Sequence, residues 1–200
     1  MLSHSLLSNG GNHADDREEN DFYATEPAAA DLLVAAKKRY GFNFSFGIWE
    51  CACGEGHLSK RFDQLCYHVF SSDKIDRNYG YIFDFAFSKP YVVRQKLLDA
   101  GCRDIVTNPP YKLTDRVIEN GFAAINAGGR LCLFLKLTFL ESAGRDYLFN
   151  HYPVSRIHVC RKRIKCAKNG DFSKVSSSPT CYAWFVWEKG YTGPTIIDRI

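Results

Sequence analysis

The chain has 200 residues, 46% of them hydrophobic and 24% charged, with a formal net charge of +4. That is the composition of a single globular domain; it excludes a wholly disordered or collagen-like chain, and no apolar run approaches the ~20 residues that span a bilayer. The mild positive charge is compatible with a nucleic-acid partner without requiring one.

Residues 1–20 are polar and then acidic, at Asp15, Asp16, Glu18 and Glu19. They lack the basic-then-apolar order of a secretory signal and read as a flexible tail ahead of one domain, residues 21–200. From Pro27 to Tyr40, alanines and leucines recur at helical spacing, Lys37 to Arg39 complement the dipole at the end, and Gly41 stops the helix. Phe46 to Cys51 predicts a strand, His57 to Leu65 a helix, and Tyr67 to Ser72 a second strand that ends in Asp73. Ile82 to Phe85 is a third short strand and Val92 to Ala100 a helix. The buried strand Asp104 to Thr107 runs into Asn108, followed by a helix from Leu113 to Ala127. Arg130 to Phe134 is a strongly apolar strand, Arg145 to Asn150 a short helix, and Ile157 to Cys160 and Cys181 to Trp187 are the last two strands. Short apolar strands alternating with amphipathic helices predict an α/β fold with a mostly parallel sheet of seven strands covered by helices on both faces. Ligands in such sheets bind at the carboxyl ends of the strands, where the strand order reverses.

The eight cysteines form no C-x-x-C pair. Without an export signal they read as reduced thiols of a cytoplasmic protein, and Cys51-x-Cys53 as small residues in a tight turn. His57, His68 and His158 are scattered, and no metal site is predicted. Trp184, Phe185 and Trp187 share one apolar strand and read as core.

Chemistry concentrates at three strand ends. Glu50 opens a turn with Gly54 and Gly56, and Ser59 stands near the place of a third glycine; glycines there let the backbone approach a ligand. Asp73 follows about 20 residues later, where an acid can accept from both hydroxyls of a ribose. Ile75 is placed to lie against an adenine ring and Asp84 to accept from its amino group, whereas Phe85 is equally readable as core. The third is Asn108-Pro109-Pro110-Tyr111. Two prolines after a buried strand fix the backbone and remove two donors. They leave carbonyls, an amide and an aromatic face, a set suited to a planar group bearing NH2.

At these residues the chain resembles S-adenosylmethionine-dependent amino-methyltransferases, most of all the DNA N6-adenine enzymes. Asn108-Pro109-Pro110-Tyr111 is similar to their catalytic N-P-P-Y loop, Glu50 to Gly56 to their cofactor loop, and Asp73 to their ribose acid. Phe22-Tyr23-Ala24-Thr25-Glu26-Pro27 resembles their aromatic-Thr-Pro element, with Glu26 inserted between the Thr and the Pro. The run from Cys181 to Pro194 also resembles small phage and prophage methyltransferase-like proteins. The resemblance implies a Rossmann-like class I methyltransferase fold with an antiparallel C-terminal strand and methyl transfer to the N6 amine of a flipped-out adenine in DNA. Asn108, Pro109, Pro110 and Tyr111 would be catalytic. Tyr23, Thr25, Pro27, Glu50, Cys51, Gly54, Gly56, Asp73, Ile75, Asp84, Phe85 and Asn108 would surround S-adenosylmethionine. The same loop also serves RNA adenine and protein glutamine methylation, and a non-catalytic nucleic-acid-binding subunit is the alternative from another class. The chain departs from site-reading relatives in having no room for a separate target-recognition domain. The acid-free stretch with Arg161, Lys162, Arg163 and Lys165 is the candidate phosphate-tracking surface, and the Ser-rich loop after it could order on nucleic acid.

Overall fold

The computed structural model describes residues 22–40, 44, 46–176 and 179–200; the expected N-terminal tail lies outside them. Ten strands and five α-helices follow in the order β1 (Tyr23–Thr25), α1 (Ala28–Tyr40), β2 (Ile48–Glu50), α2 (His57–Gln64), β3 (Val69–Asp73), β4 (Tyr81–Ile82), α3 (Pro90–Asp99), β5 (Asp104–Thr107), α4 (Thr114–Ala124), β6 (Arg130–Lys136), α5 (Asp146–His151), β7 (Arg156–Val159), β8 (Cys166–Lys168), β9 (Tyr182–Glu188) and β10 (Ile196–Arg199).

The main sheet runs β10-β7-β9-β6-β5-β2-β3-β4. Its pairings are parallel except those of β9, which lies antiparallel between β6 and β7. Seven of these strands match the expected set. The eighth, β10, pairs parallel with β7 at the edge, so the last strand of the chain is not the antiparallel one. A separate two-stranded ribbon joins β1 to β8 antiparallel, with Thr25 opposite Cys166.

The sheet is buried on both faces. Along β6, Leu131, Leu133 and Leu135 point into one core and Cys132 and Phe134 into the other; β9 divides its residues the same way, Phe185 and Trp187 against Trp184 and Val186. This is the two-residue alternation of a strand covered twice, and it explains the unbroken apolar runs. Helices α3 and α4 cover the first face with Val93, Leu97, Val117 and Ile118. Helices α1 and α2 cover the second with Ala29, Leu33, Leu58 and Phe62. The three buried indole N–H groups are satisfied: Trp49 donates to Ser72 Oγ (2.9 Å), Trp184 to the Ala29 carbonyl (2.8 Å) and Trp187 to the Tyr152 carbonyl (2.9 Å).

From β2 the chain builds outward through β3 and β4, then returns to the other side of β2 for β5 and β6. The order therefore reverses between β2 and β5. Their carboxyl ends, Glu50 and Thr107, frame the crevice where open α/β sheets take ligands.

Candidate active site

The glycine turn after β2 has the backbone its sequence demands. Gly54 and Gly56 have φ of +53° and +79°, values that exclude most side chains. Gly54 N–H donates to Asp73 Oδ2 (2.8 Å), and Asp73 Oδ1 accepts from Ile75 N–H (3.0 Å), so the acid at the end of β3 is held against the turn. Two aromatic rings cover the glycines. A Cβ on Gly54 would lie 2.0 Å from the Phe22 ring, and one on Gly56 2.3 Å from that of Tyr79. Arg77 stands 4.8 Å from the Phe22 ring and Lys60 4.8 Å from that of Tyr79. The cavity left there, about 20 Å³, is water-sized and is lined by Phe22 to Thr25, Glu50, Ala52, Cys53, His57, Leu58 and Asn108. The Phe22 carbonyl accepts from Asn169 N–H (2.8 Å), which ties the backbone beneath this ring to the end of β8. A larger cavity of about 330 Å³, among Phe70, Phe83, Val92 and Lys96, contains none of the glycine or diproline residues.

Glu50 is 2% exposed. Ser59 donates to its carboxyl, and Ser71 Oγ donates to Ser59 Oγ (2.7 Å). Burial raises its pKa from 4.5 to about 8, against the opposing Ser59 hydrogen bond and with help from the Asp73 charge.

Thr25 and Asn108 lie 83 positions apart in the chain and meet in space: Asn108 Nδ2 donates to Thr25 Oγ1 (2.7 Å). Thr25 stands opposite Cys166 across the β1–β8 ribbon, and its hydroxyl takes the amide nitrogen of Asn108. Asn108 Oδ1 therefore points away from Thr25, buried and without a hydrogen-bond partner. An unsatisfied buried carbonyl costs about 1–3 kcal/mol, so it marks a place where a donor is due. His57 Nδ1, in the same cavity, is likewise buried without a partner.

Several expected residues take more ordinary places. The Cys51 side chain is in the core, and burial pushes its thiol pKa far up. Phe85, 3% exposed, stacks edge-on against Trp49. Asp84 is already engaged: Oδ1 accepts from Phe87 N–H (3.1 Å) and Oδ2 pairs with Lys74 (3.6 Å). Tyr23, the aromatic expected at the cofactor, is 40% exposed, and Phe22, which opens the same stretch, is the ring on the glycine turn. Pro27 precedes the first turn of α1, and its carbonyl accepts from Ala30 N–H (3.0 Å). The Ile75 side chain is half-buried beside Asp73, and the Tyr111 ring packs against both cores with the Lys136 ammonium 5.2 Å from its centre.

The inserted Glu26 has a structural job. Its N–H donates to the Lys165 carbonyl (2.9 Å) and its carboxylate accepts from Lys165 N–H (3.0 Å), which ties β8 to β1. Arg161, Lys162 and Arg163 are exposed just before this clamp, and Lys165 is half-buried within it. The loop that follows carries a 3-10 turn at Phe172–Lys174, with Phe172 edge-on to His57 at 5.4 Å.

Among the described residues no cluster of His, Cys, Asp and Glu has the arrangement of a metal site, and no helix is long and apolar enough to cross a membrane.

No family model matches the sequence, and a search of curated proteins finds no match. Solved structures do. A SAM-dependent methyltransferase from Anabaena variabilis superposes with a TM-score of 0.51 at 14% identity, over 84% of this chain and 88% of that one. A SAM-dependent O-methyltransferase from Thermotoga maritima gives 0.52 at 12% identity, over 84% and 67%. A protein assigned as the modification subunit of a type I restriction enzyme from Vibrio vulnificus gives 0.53 at 14% identity over 94% of this chain, which spans 48% of that subunit. At such identities the likeness is one of fold, and the fold is the Rossmann-like class I methyltransferase fold.

Proposed function

We propose that the protein is an S-adenosylmethionine-dependent methyltransferase acting on the exocyclic N6 amine of adenine in DNA. One observation carries this reading: Asn108 Oδ1 is a buried acceptor without a partner, held in place through Thr25, at the mouth of the sheet's switch point beside a glycine turn. A planar NH2 group supplies the missing donor, and the Pro109 carbonyl next to it accepts the second hydrogen. The residues around the turn suit the cofactor. Gly54 and Gly56 leave space once the rings over them rotate, Asp73 retains lone pairs for ribose hydroxyls, and Glu50 offers a carboxyl to an ammonium group. Cys51 and Phe85 would support that pocket from the core, with Ile75, Asp84, Tyr23, Thr25 and Pro27 around it.

The bound cofactor supplies an electrophilic methyl group on a sulfonium. The protein's own part is positioning. Asn108 and Pro109 orient the amine so that its lone pair, delocalised into the ring in free adenine, faces the donor; Tyr111 lends a ring face. The extruded base costs a few kcal/mol of stacking, and aromatic contact offsets part of it. Arg161, Lys162, Arg163 and Lys165, on the arm fastened to β1, are placed to meet phosphates. The likeness in fold to a restriction modification subunit is compatible with a DNA acceptor.

Transfer of labelled methyl groups to DNA, RNA and glutamine-containing peptides, by wild type and Asn108→Ala, tests the reading. Loss of the acceptor should slow transfer to adenine-containing DNA by ~10²–10³-fold, the usual effect of deleting one transition-state hydrogen bond. Binding of S-adenosylhomocysteine should stay within a few-fold. Unchanged transfer by Asn108→Ala, or a preference for RNA or peptide, would overturn the catalytic or the substrate assignment respectively.

A further inference from the structure

The turn at residues 84–88 presents a feature the proposed chemistry does not use. Phe85 and Ala86 are buried, yet the next residue, Phe87, is 54% exposed. The turn is not loose. Phe87 N–H donates to Asp84 Oδ1 (3.1 Å), Ser88 Oγ donates to the Asp84 carbonyl (2.6 Å), and Asn120 Nδ2 on α4 reaches the carbonyls of Phe85, Ala86 and Ser88 at 2.9, 3.2 and 3.1 Å. A phenyl ring is thus held out in water by a turn whose polar groups are satisfied internally. Two cations stand beside it: Arg116 Cζ is 4.6 Å and Lys74 Nζ 5.5 Å from the ring centre.

The position of this cluster is set by the topology. Lys74 follows Asp73 at the carboxyl end of β3, Phe87 follows the end of β4, and Arg116 lies in the first turn of α4, directly after the diproline loop. All three therefore stand on the rim where the glycine turn and Asn108 also lie. An exposed aromatic ring flanked by an Arg plane and an ammonium has the chemistry of a base-stacking platform: π-faces for a base, cations for its phosphates. A paired duplex offers no free base face to the ring.

We infer that Phe87, with Arg116 and Lys74, is a stacking site for an unpaired base of a single-stranded nucleic acid, the strand that carries the target adenine. The inference rests on the proposed nucleic-acid substrate and deepens it: the preferred substrate is a single strand or a locally opened one. It supplies contacts to the strand with no hydrogen-bond reading of sequence.

The test is fluorescence anisotropy with a labelled single-stranded oligonucleotide and with the same sequence as a blunt duplex, for wild type, Phe87→Leu and Phe87→Trp, each checked by circular dichroism. Phe87→Leu keeps apolar bulk but removes the π-face, and it should weaken single-strand binding by roughly 5-fold to 100-fold while leaving duplex binding within 2-fold. Phe87→Trp should restore or exceed wild-type affinity. Equal binding by wild type and Phe87→Leu overturns the inference. So does equal weakening by both substitutions, which would make Phe87 a structural residue. Equal weakening on single strand and duplex would replace it with a general contact. Methyl-transfer assays in parallel separate this site from the proposed function. Single-strand binding that depends on Phe87, in a protein that methylates no nucleic acid, would leave the platform standing and remove the enzyme. Methylation indifferent to Phe87 would do the reverse.

Discussion

Glu50→Gln isolates the energetic cost of the carboxyl beneath the glycine turn. The folded protein holds the proton of Glu50 to about pH 8, against 4.5 for an ordinary glutamate, chiefly because the group is buried. A raised carboxylate pKa means that the folded state binds the proton more tightly than the unfolded state between those values. Its contribution is therefore fully present below about pH 4.5 and is lost as pH rises through 8, the reverse of a salt-bridged acid. At ~1.4 kcal/mol for each pH unit, the whole interval corresponds to roughly 5 kcal/mol, an upper bound. The cleanest window is pH 6.5 to 8. Asp104, raised by burial to about 6, titrates mostly below it, His57 and His158 are depressed below 6.5, and the buried thiols of Cys51 and Cys132 lie far above 9. Across that window urea unfolding should show wild type losing ~2 kcal/mol while Glu50→Gln, which keeps the shape and the acceptor for Ser59, stays flat. The same linkage governs ligands. A bound ammonium favours the Glu50 anion, so S-adenosylhomocysteine should bind wild type more tightly as pH rises from 6.5 to 8, and Glu50→Gln without that trend. Parallel stability curves for the two proteins would refute the reasoning, because they would show Glu50 ionised throughout.

Thr25→Val removes the oxygen that accepts from Asn108 while keeping nearly the same volume. It should cost ~1–3 kcal/mol in stability. It should also lower kcat by ~10-fold or more, as the released amide turns, with little change in cofactor affinity; an unaltered kcat would detach Thr25 from the positioning of Asn108. Glu26→Ala frees Lys165 N–H from its carboxylate acceptor. Hydrogen exchange at residues 165–168 should accelerate ~5-fold to 30-fold, and Glu26→Gln should retain most of the protection; equal protection in all three would show the clamp to be idle.

What the sequence made legible is what is local. The glycine turn, the acid at the end of β3 and the diproline after β5 each sit in a stretch of a few residues whose chemistry reads directly, and parallel topology then requires them to share one edge. Strand β10 escaped notice because Ile196–Arg199 is short, mostly exposed and half charged, with no core pattern to betray it. The β1–β8 ribbon escaped because three-residue strands separated by about 140 positions carry no periodic signal, and their pairing is a tertiary event. The places of Phe22 and Tyr79 over the glycines were hidden for the same reason: that a ring will lie on a particular glycine depends on where its loop folds. Cys166 and Tyr182 read as ordinary strand residues until Thr25 and Tyr111 came to meet them. The basic stretch divided in a way composition does not reveal, with Arg161 to Arg163 exposed and Ile164 buried.

The insertion of Glu26 between Thr25 and Pro27 looks at first like damage to a cofactor-closing element. In the fold it is what fastens the arm carrying Arg161, Lys162 and Arg163 to the strand carrying Thr25. One backbone bond and one carboxylate bond on the same residue hold β8 in register, so Cys166 stays opposite Thr25. Thr25 Oγ1 accepts from Asn108 Nδ2, and the carbonyl of that amide is left buried without a partner. The exposed cations of the arm and the amide of Asn108 are thereby joined through Lys165, Glu26 and Thr25.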